Sequence, residues 1–240
     1  MHYEEYGERN KPTVVMLHGA FFVNSFEKQY PLSRHYHLLV PHITGYGKEA
    51  ATDFSTDIAI KEILNLCPIG ETLYLIGFSL GAQLAFKLLV EYGELFKKAI
   101  IISPWLVNKE NIPDTIVEGN LKMLKAMQNK MLAGFIALIN GMPKEQRLEW
   151  TEYMRNTTEA TVINSVKNGI SFDTVPGFEH MNVPILALAG SKEPDNILES
   201  VKLMAEKNKN CTGEIWQGAK HTIPLAFAKR LNNTIAEFFV

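Results

Sequence analysis

The stretch from Thr72 to Val90 reads TLYLIGFSLGAQLAFKLLV, and it decides the fold. Its first part, residues 73–76, is a short and nearly continuous apolar run, which is typical of a strand covered on both faces. From Leu80 onward the apolar residues recur at helical spacing, so a helix is expected to begin directly after the turn. The stretch therefore predicts a buried strand, a sharp turn and a helix.

Between this strand and this helix lies Gly77-Phe78-Ser79-Leu80-Gly81, which fits the pattern G-x-S-x-G. A serine on so tight a turn sits in strained backbone, and side chains in place of the two glycines would collide with the neighbouring strand and helix. The turn exposes the serine hydroxyl. The helix N-terminus beside it offers free N–H groups and the positive end of a dipole, where an oxyanion can form. Ser79 is therefore the candidate nucleophile, and Leu80 N–H is a candidate donor to the oxyanion.

The composition predicts one large core and a small partner. The chain has 240 residues, of which 46% are hydrophobic and 21% charged, as in ordinary globular domains. Its net charge of −2, with both signs interspersed, gives no electrostatic basis for binding nucleic acid or an anionic membrane. No apolar run is long enough to span a bilayer, and the N-terminus lacks the apolar region of a secretory signal. We expect a cytoplasmic protein with a small-molecule substrate, and its oligomeric state stays open.

Two further patterns bear on redox state and cofactors. Cys67 and Cys211 are far apart in sequence and predict two free thiols in a reducing compartment. No cluster of His, Cys and Asp has the spacing of metal ligands, and neither a dinucleotide fingerprint nor a P-loop is present. No metal and no cofactor are therefore expected.

Strand and helix patterns alternate over most of the chain, which predicts a parallel sheet with right-handed crossovers. The alternation stops between residues 106 and 181, where a helical stripe runs over 121–138 and no segment is typical of a buried strand. We therefore assign residues 1–105 and 182–240 to an α/β core and residues 106–181 to a helical insertion over the sheet. The other predicted strands are 3–6, 13–17, 37–40, 98–102, 183–189 and 213–216, and the other predicted helices are 25–33, 53–66, 144–155, 159–167, 197–207 and 224–239.

The loop after the strand at 13–17 is His18-Gly19-Ala20-Phe21. A glycine just past a buried strand lets the backbone turn its N–H groups inward. Ala20, or alternatively Phe21, is therefore the candidate for the second donor to the oxyanion. Apolar side chains of the loops and the insertion are the candidate walls of a substrate pocket: Phe21, Phe22, Trp105, Met123, Met127 and Phe135.

These motifs resemble the α/β-hydrolase fold superfamily over nearly the whole chain. In chain order, the residues that carry the resemblance are His18-Gly19, Gly45-Tyr46-Gly47, the Gly77 to Gly81 turn, Gly190 and Gly218-Ala219-Lys220-His221. The resemblance implies a mostly parallel, doubly wound sheet, a helical cap after the strand that ends near Ser103, and a Ser, acid, His triad in that chain order. Because only a short segment precedes the His18-Gly19 strand, we expect about seven strands instead of the family's eight.

The resemblance also implies the partners of Ser79. His221 follows a glycine-bearing turn after the last strand and precedes the C-terminal helix, as the family's histidine does. The family commonly places its acid three residues after the glycine that follows the penultimate strand, and this position is Glu193. Asp195, two residues further on, is the alternative, because either carboxylate could accept the imidazole N–H.

The nucleophile restricts the chemistry. Epoxide hydrolases and haloalkane dehalogenases of this fold use a carboxylate nucleophile, whereas position 79 is serine, which favours acyl transfer to water. We expect a carboxylesterase-like hydrolase that cleaves a small, largely apolar ester through an acyl-enzyme. The alternatives are a thioesterase, a C–C bond hydrolase or a lyase that uses the same triad, and a ligand receptor of the same fold with negligible turnover.

Overall fold

A computed structural model describes residues 1–68, 70–71, 73–139 and 144–240. Thr72, with which the stretch quoted above begins, lies outside the described residues. So do residues 140–143 of the predicted helical insertion.

Seven strands form one sheet in the described part of the chain: β1 (Tyr3–Tyr6), β2 (Thr13–Leu17), β3 (His37–Pro41), β4 (Leu73–Phe78), β5 (Phe96–Ile102), β6 (Ile185–Gly190) and β7 (Cys211–Trp216). Their order is β1-β3-β2-β4-β5-β6-β7. β1 pairs antiparallel with β3, and the other neighbours pair in parallel. The predicted mostly parallel sheet of about seven strands is confirmed.

The helices are α1 (Thr56–Leu66), α2 (Leu80–Tyr92), α3 (Asp114–Gln128), α4 (Lys130–Ile139), α5 (Lys144–Asn156), α6 (Glu159–Val166), α7 (Asp195–Lys207), α8 (Ile223–Ala226) and α9 (Ala228–Phe238). Helices α3 to α6 lie between β5 and β6. The predicted stripe over 121–138 is divided at Asn129, whose side-chain oxygen accepts the N–H groups of Met131 and Leu132 and so caps a new helix. Among the described residues, none of the helices has the length and apolar character that crossing a membrane requires.

The sheet buries both of its faces. Val15 and Leu17 of β2 pack in one apolar cluster with residues of α2, whereas Val14 and Met16 pack in a second cluster with residues of α9. A 3₁₀ helix over Glu27–Arg34 covers this second face, where the pattern predicts an ordinary helix over 25–33. It contains Pro31, which has no N–H to donate, so α-helical hydrogen bonding is interrupted there.

The turn between β4 and α2 is tight because two glycines leave no room for a side chain. A Cβ atom at Gly81 would lie 2.0 Å from the carbonyl oxygen of Leu17, and one at Gly77 would lie 2.4 Å from the carbonyl oxygen of Gly81. Between them Ser79 has a φ of 55°, in the left-handed region that a serine rarely adopts. This geometry places Ser79 between the end of β4 and the N-terminus of α2.

The two cysteines are free. Cys67 follows α1, and Cys211 is the first residue of β7. Burial raises the pKa of the Cys67 thiol to about 11 and that of the Cys211 thiol to about 12. Both thiols are therefore protonated and weakly nucleophilic at neutral pH.

Candidate active site

Three side chains form a hydrogen-bonded line at the carboxyl edge of the sheet. Ser79 Oγ lies 2.9 Å from His221 Nε2, and His221 Nδ1 lies 2.6 Å from Glu193 Oε2. These residues follow β4, β7 and β6, so the parallel topology brings them to one edge. Because an ionised carboxylate only accepts hydrogen bonds, Nδ1 carries the imidazole proton and Nε2 faces the serine with its lone pair.

Glu193 is held by two further donors. Glu193 is 6% exposed, and its Oε1 accepts hydrogen bonds from the N–H of Gly190 and the hydroxyl of Ser103, each at 2.8 Å. Ser103 follows β5 directly and has a φ of 55°. It belongs to no motif that would identify it from sequence, and its one signal there is its place at the end of a buried strand. These contacts fix the carboxylate that faces His221.

Asp195, the alternative acid, lies elsewhere. It is the first residue of α7 and is exposed. Among the described residues, no hydrogen bond or ion pair joins Asp195 to His221. The structure therefore brings Glu193, and not Asp195, to the histidine.

Free backbone N–H groups lie beside the serine. Leu80 is the first residue of α2, so its N–H has no acceptor within the helix. Ala20 and Phe21 lie in the loop after β2, and Phe21 has a φ of 65°. None of these three N–H groups meets an acceptor in the described part of the chain. All three residues line the same cavity as Ser79, an arrangement that can stabilise negative charge on an oxygen bound there.

His18 shapes this loop. Its Nδ1 donates to the carbonyl oxygen of Gly19 at 2.8 Å, and its Nε2 accepts the N–H of Ile43 at 2.9 Å. Burial lowers the pKa of His18 to about 4. The imidazole is therefore neutral at pH 7, and both of its nitrogens are occupied by the loops that they join.

We expect the free energy of unfolding to fall as the pH is lowered from 7 to 4. Burial lowers the pKa of His18 to about 4 and that of His42 to about 3, from an ordinary value of 6.5. Between these values the unfolded chain binds protons that the folded chain does not, so stability is lost as the pH falls through this window. His18 alone accounts for about 3 kcal/mol at pH 4.

Urea unfolding at pH 7, 5.5 and 4 measures this loss. His42→Asn should flatten the dependence on pH, whereas His180→Asn should not, because the His180 side chain is 84% exposed. A stability that stays constant from pH 7 to pH 4 would contradict the burial of a neutral His18.

The cavity beside Ser79 has two lobes, which we name the inner lobe where Gln83 lines it and the outer lobe where Leu225 lines it. The inner lobe has a volume of about 160 Å³ and the outer lobe about 300 Å³. The inner lobe is lined by side chains such as Tyr46, Leu80, Gln83 and Trp105, and the outer lobe by Phe22, Phe78, Met123, Met127 and Leu225. Five residues line both lobes: Ala20, Phe21, Ser79, Asn120 and His221.

The predicted pocket walls are therefore largely brought together, with one exception. Phe21, Phe22, Trp105, Met123 and Met127 each line at least one lobe. Phe135 is not brought to them: this residue lies on α4, is 59% exposed and lines neither lobe. Helical spacing predicts that Phe135 lies on an apolar stripe. The spacing does not show which way α4, the helix after Asn129, faces.

Helix α5 contacts the loop after β2. Trp150 of α5 is fully buried, and its Nε1–H donates to the carbonyl oxygen of Phe21 at 2.8 Å. The rings of Trp150 and Phe22 lie 5.3 Å apart. This contact holds Phe21, whose backbone is in the left-handed region and whose N–H is one of the free donors near the serine. No local pattern in the sequence predicts it.

One group of side chains in the described part of the chain resembles a metal site. Ligand atoms of His2, Glu4 and His42 lie within 4.8 Å of one another. Lys48 Nζ, however, lies 3.1 Å from His2 Nε2 and 3.2 Å from Glu4 Oε1. His42 Nδ1 accepts the N–H of Lys48, so the outward Nε2 of the neutral ring carries a proton. The group is better described as a polar network around the Lys48 ammonium than as a metal site.

Comparison with known proteins places this geometry in context. A family model described as alpha/beta hydrolase fold matches residues 12–142. The chain is 24% identical to the (E)-2-((N-methylformamido)methylene)succinate hydrolase of Acinetobacter baylyi over 254 residues, which cover 98% of this chain and 92% of that protein.

Two solved structures are similar over almost the full length. An esterase of Exiguobacterium antarcticum is 20% identical with a TM-score of 0.76, covering 99% of this chain and 94% of its own. A deformylase of Pseudomonas putida S16 is 14% identical with a TM-score of 0.73, covering 98% of this chain and 95% of its own. At these identities the likeness concerns the fold.

Proposed function

Because the chain belongs to the alpha/beta hydrolase fold family, we propose that it is a serine hydrolase that cleaves small esters through an acyl-enzyme. The observation that carries this proposal is the line from Ser79 through His221 to Glu193, with distances of 2.9 and 2.6 Å. Free N–H groups beside the serine support it. A nucleophile, a base, an acid that orients the base and oxyanion donors are the parts that acyl transfer needs.

In the proposed reaction, Ser79 Oγ attacks the ester carbonyl carbon, and its proton passes to His221 Nε2. Glu193 stabilises the imidazolium that results. The carbonyl oxygen becomes an oxyanion and accepts hydrogen bonds from the N–H of Leu80 and that of Ala20 or Phe21. His221 then gives its proton to the departing alkoxide, which leaves an acyl-serine. A water activated by His221 hydrolyses the acyl-serine and restores the hydroxyl of Ser79.

The two lobes take opposite ends of the substrate in this proposal. The leaving oxygen must lie next to His221, and the outer lobe is formed partly by residues that follow it, Thr222, Pro224 and Leu225. The alcohol therefore occupies the outer lobe, and the acyl group occupies the inner lobe beside Leu80. A cavity of about 150 Å³ holds a benzene-sized group, so the acyl group is short. Residues 106–181 act as the cap that closes this pocket.

Hydrolysis of benzyl esters of short acids, followed by release of benzyl alcohol, tests the proposal. We expect turnover by the wild type and a loss of about 10⁴-fold or more in Ser79→Ala. Ser55→Ala is the matched control, because Ser55 does not cap α1 with its side chain. Equal turnover in Ser79→Ala would contradict the proposal. A folded wild type that binds such esters without turnover would indicate a receptor.

Hydrolysis of an N-acyl amide is a second candidate. One observation favours it: the relative that matches 98% of this chain is named for a substrate with an N-methylformamido group. The same serine and oxyanion donors would serve, with His221 protonating a departing nitrogen. N-Formyl amides tested beside the esters, with formate as the measured product, separate the two candidates.

We expect the two candidate acids to differ sharply on substitution. Glu193→Gln keeps the shape of a side chain that lies 2.6 Å from His221 but removes the charge that orients the imidazole, so kcat should fall about 10³- to 10⁴-fold. Asp195→Asn should change kcat less than about twofold, because Asp195 is exposed and does not contact His221. Steady-state kinetics of both variants shows which carboxylate is the acid of the triad. A larger loss of kcat in Asp195→Asn than in Glu193→Gln would assign the acid to Asp195.

Trp150→Phe should lower kcat/KM about 3- to 10-fold, the effect of losing one neutral hydrogen bond. The variant keeps an aromatic ring beside Phe22 but removes the N–H that binds the carbonyl oxygen of Phe21. The loss should fall mainly on kcat, because the hydrogen bond positions oxyanion donors and not the ground-state substrate. A change confined to KM would show that Trp150 shapes only the pocket.

A further inference from the structure

A buried lysine lies behind the inner lobe without an acidic partner. Lys109 is 8% exposed, and its ammonium makes no ion pair with any carboxylate in the described part of the chain. Its Nζ donates to the carbonyl oxygen of Val166 at 3.0 Å and to Gln83 Oε1 at 3.2 Å. It also lies 4.1 Å above the ring of Trp105. These neighbours hold the ammonium in place but do not neutralise it.

The lysine decides which way the amide of Gln83 points. An ammonium only donates hydrogen bonds, so the atom that faces Lys109 must be the amide oxygen. Asn168 Nδ2 donates to the same oxygen at 2.8 Å, and Asn168 Oδ1 is itself occupied by the N–H of Ile170. The NH₂ group of Gln83 is therefore left for the inner lobe, which Gln83 lines.

This NH₂ group has no acceptor among the described residues. Other hydroxyl groups of the lobe already donate hydrogen bonds within the protein. Ser165 Oγ donates to the carbonyl oxygen of Thr161 at 2.7 Å, and Tyr46 donates to Ser165 Oγ at 2.7 Å. No Asp or Glu among the described residues lines the lobe. The inner lobe thus presents an amide donor and a nearby positive charge.

The position of Gln83 defines how far this donor lies from the reacting carbon. Gln83 is one helical turn beyond Ser79, and its backbone N–H donates to the carbonyl oxygen of Ser79 at 3.2 Å. Both residues line the inner lobe. An acyl group bound to Ser79 would therefore meet the amide a few bonds beyond its carbonyl carbon.

We propose that the inner lobe recognises a carboxylate at the far end of a short acyl group, so that the preferred substrate is a monoester of a short dicarboxylic acid with an apolar alcohol. The inference rests on the proposed function, because it assigns the acyl group to this lobe. It differs from the largely apolar substrate that the sequence predicts. In the sequence, Gln83 shows only as a residue of the helix after Ser79, and Lys109 carries no motif.

Charge supports this choice over a neutral polar group. Burial lowers the pKa of Lys109 to about 8, so the side chain is still mainly protonated at pH 7. A carboxylate that accepts from Gln83 would place its charge near this ammonium in a site of low dielectric, where attraction is strong. The volume of the lobe, about 160 Å³, accommodates a succinyl-sized group.

Three esters of one alcohol test the inference. Monobenzyl succinate carries the carboxylate, benzyl levulinate has a neutral ketone of the same shape at that position, and benzyl pentanoate has no oxygen there. We expect kcat/KM for monobenzyl succinate to exceed that for benzyl pentanoate by about 10- to 100-fold, with benzyl levulinate between them. Equal values, or the reverse order, would overturn the inference.

Variants connect the preference to its residues. Lys109→Met and Gln83→Leu should each lower the ratio of kcat/KM for monobenzyl succinate to that for benzyl pentanoate about 10-fold, and Gln83→Glu should lower it further. The ratio of two substrates on one preparation cancels the fraction of folded enzyme, so a destabilised variant still gives a result. Lys207→Met is the charge-matched control, since Lys207 is exposed and lies 5.6 Å from the Phe172 ring.

The outcomes separate this inference from the proposed function. Absence of Ser79-dependent turnover of all three esters would contradict the proposed function. Ser79-dependent turnover whose succinate preference is absent, or is unchanged in Lys109→Met and Gln83→Leu, would overturn only the carboxylate site.

Discussion

Replacing His221 by alanine is expected to lower kcat for ester hydrolysis by about 10⁴- to 10⁶-fold. A serine hydroxyl is a weak nucleophile until a base takes its proton, and His221 Nε2 lies 2.9 Å from Ser79 Oγ. The same nitrogen must protonate the leaving alkoxide. Loss of the imidazole therefore removes both proton transfers and leaves only the oxyanion donors and substrate binding.

The double variant Ser79→Ala/His221→Ala sharpens this prediction. Residues that act as one unit are not additive, so the double variant should be about as slow as either single variant. His180→Ala is the control, because that side chain is 84% exposed. Losses that multiply, or an active His221→Ala enzyme, would show that the two residues do not act together.

Gly81→Ala is expected to destabilise the fold by more than about 4 kcal/mol, enough to unfold many domains. The added Cβ would lie 2.0 Å from the carbonyl oxygen of Leu17 and 2.6 Å from that of His18. Neither oxygen belongs to a flexible side chain, so relief requires moving α2 away from β2. Such a shift would also displace Ser79 and Leu80.

Gly119→Ala is the matched control for this prediction. Gly119 lies within α3, and a Cβ atom there would meet nothing within 4 Å. Alanine is the better helix former by about 1 kcal/mol, so this variant should be neutral or slightly stabilised. Urea unfolding of the two variants checks the pair, and a Gly81→Ala protein of wild-type stability would contradict the packing of the turn.

Much of the fold follows from local patterns. The alternation of apolar strands and amphipathic helices predicts the parallel sheet, because a strand buried on both faces has a distinct composition. The glycines at 77 and 81 indicate the turn that carries Ser79, since close backbone approach excludes a side chain. His221 and Glu193 follow from their order relative to the strands, through the family resemblance.

The remaining features depend on contacts between distant segments. Ser103 reaches Glu193 across 90 positions of sequence, and Trp150 reaches Phe21 across 129. Periodicity describes one helix at a time, so it cannot predict these contacts or the outward direction of Phe135. The buried Lys109 is missed for the same reason, because its position depends on contacts with Gln83 of α2 and Val166 of α6.

Reaction with a fluorophosphonate, followed by intact-mass and peptide mass spectrometry, tests most directly whether Ser79 is an activated nucleophile. Such probes phosphonylate a serine whose base and oxyanion donors are assembled, whatever its natural substrate. We predict one adduct, located on Ser79, that is absent from Ser79→Ala and strongly reduced in His221→Ala. A folded wild type that stays unlabelled, or one labelled at another residue, would contradict the account.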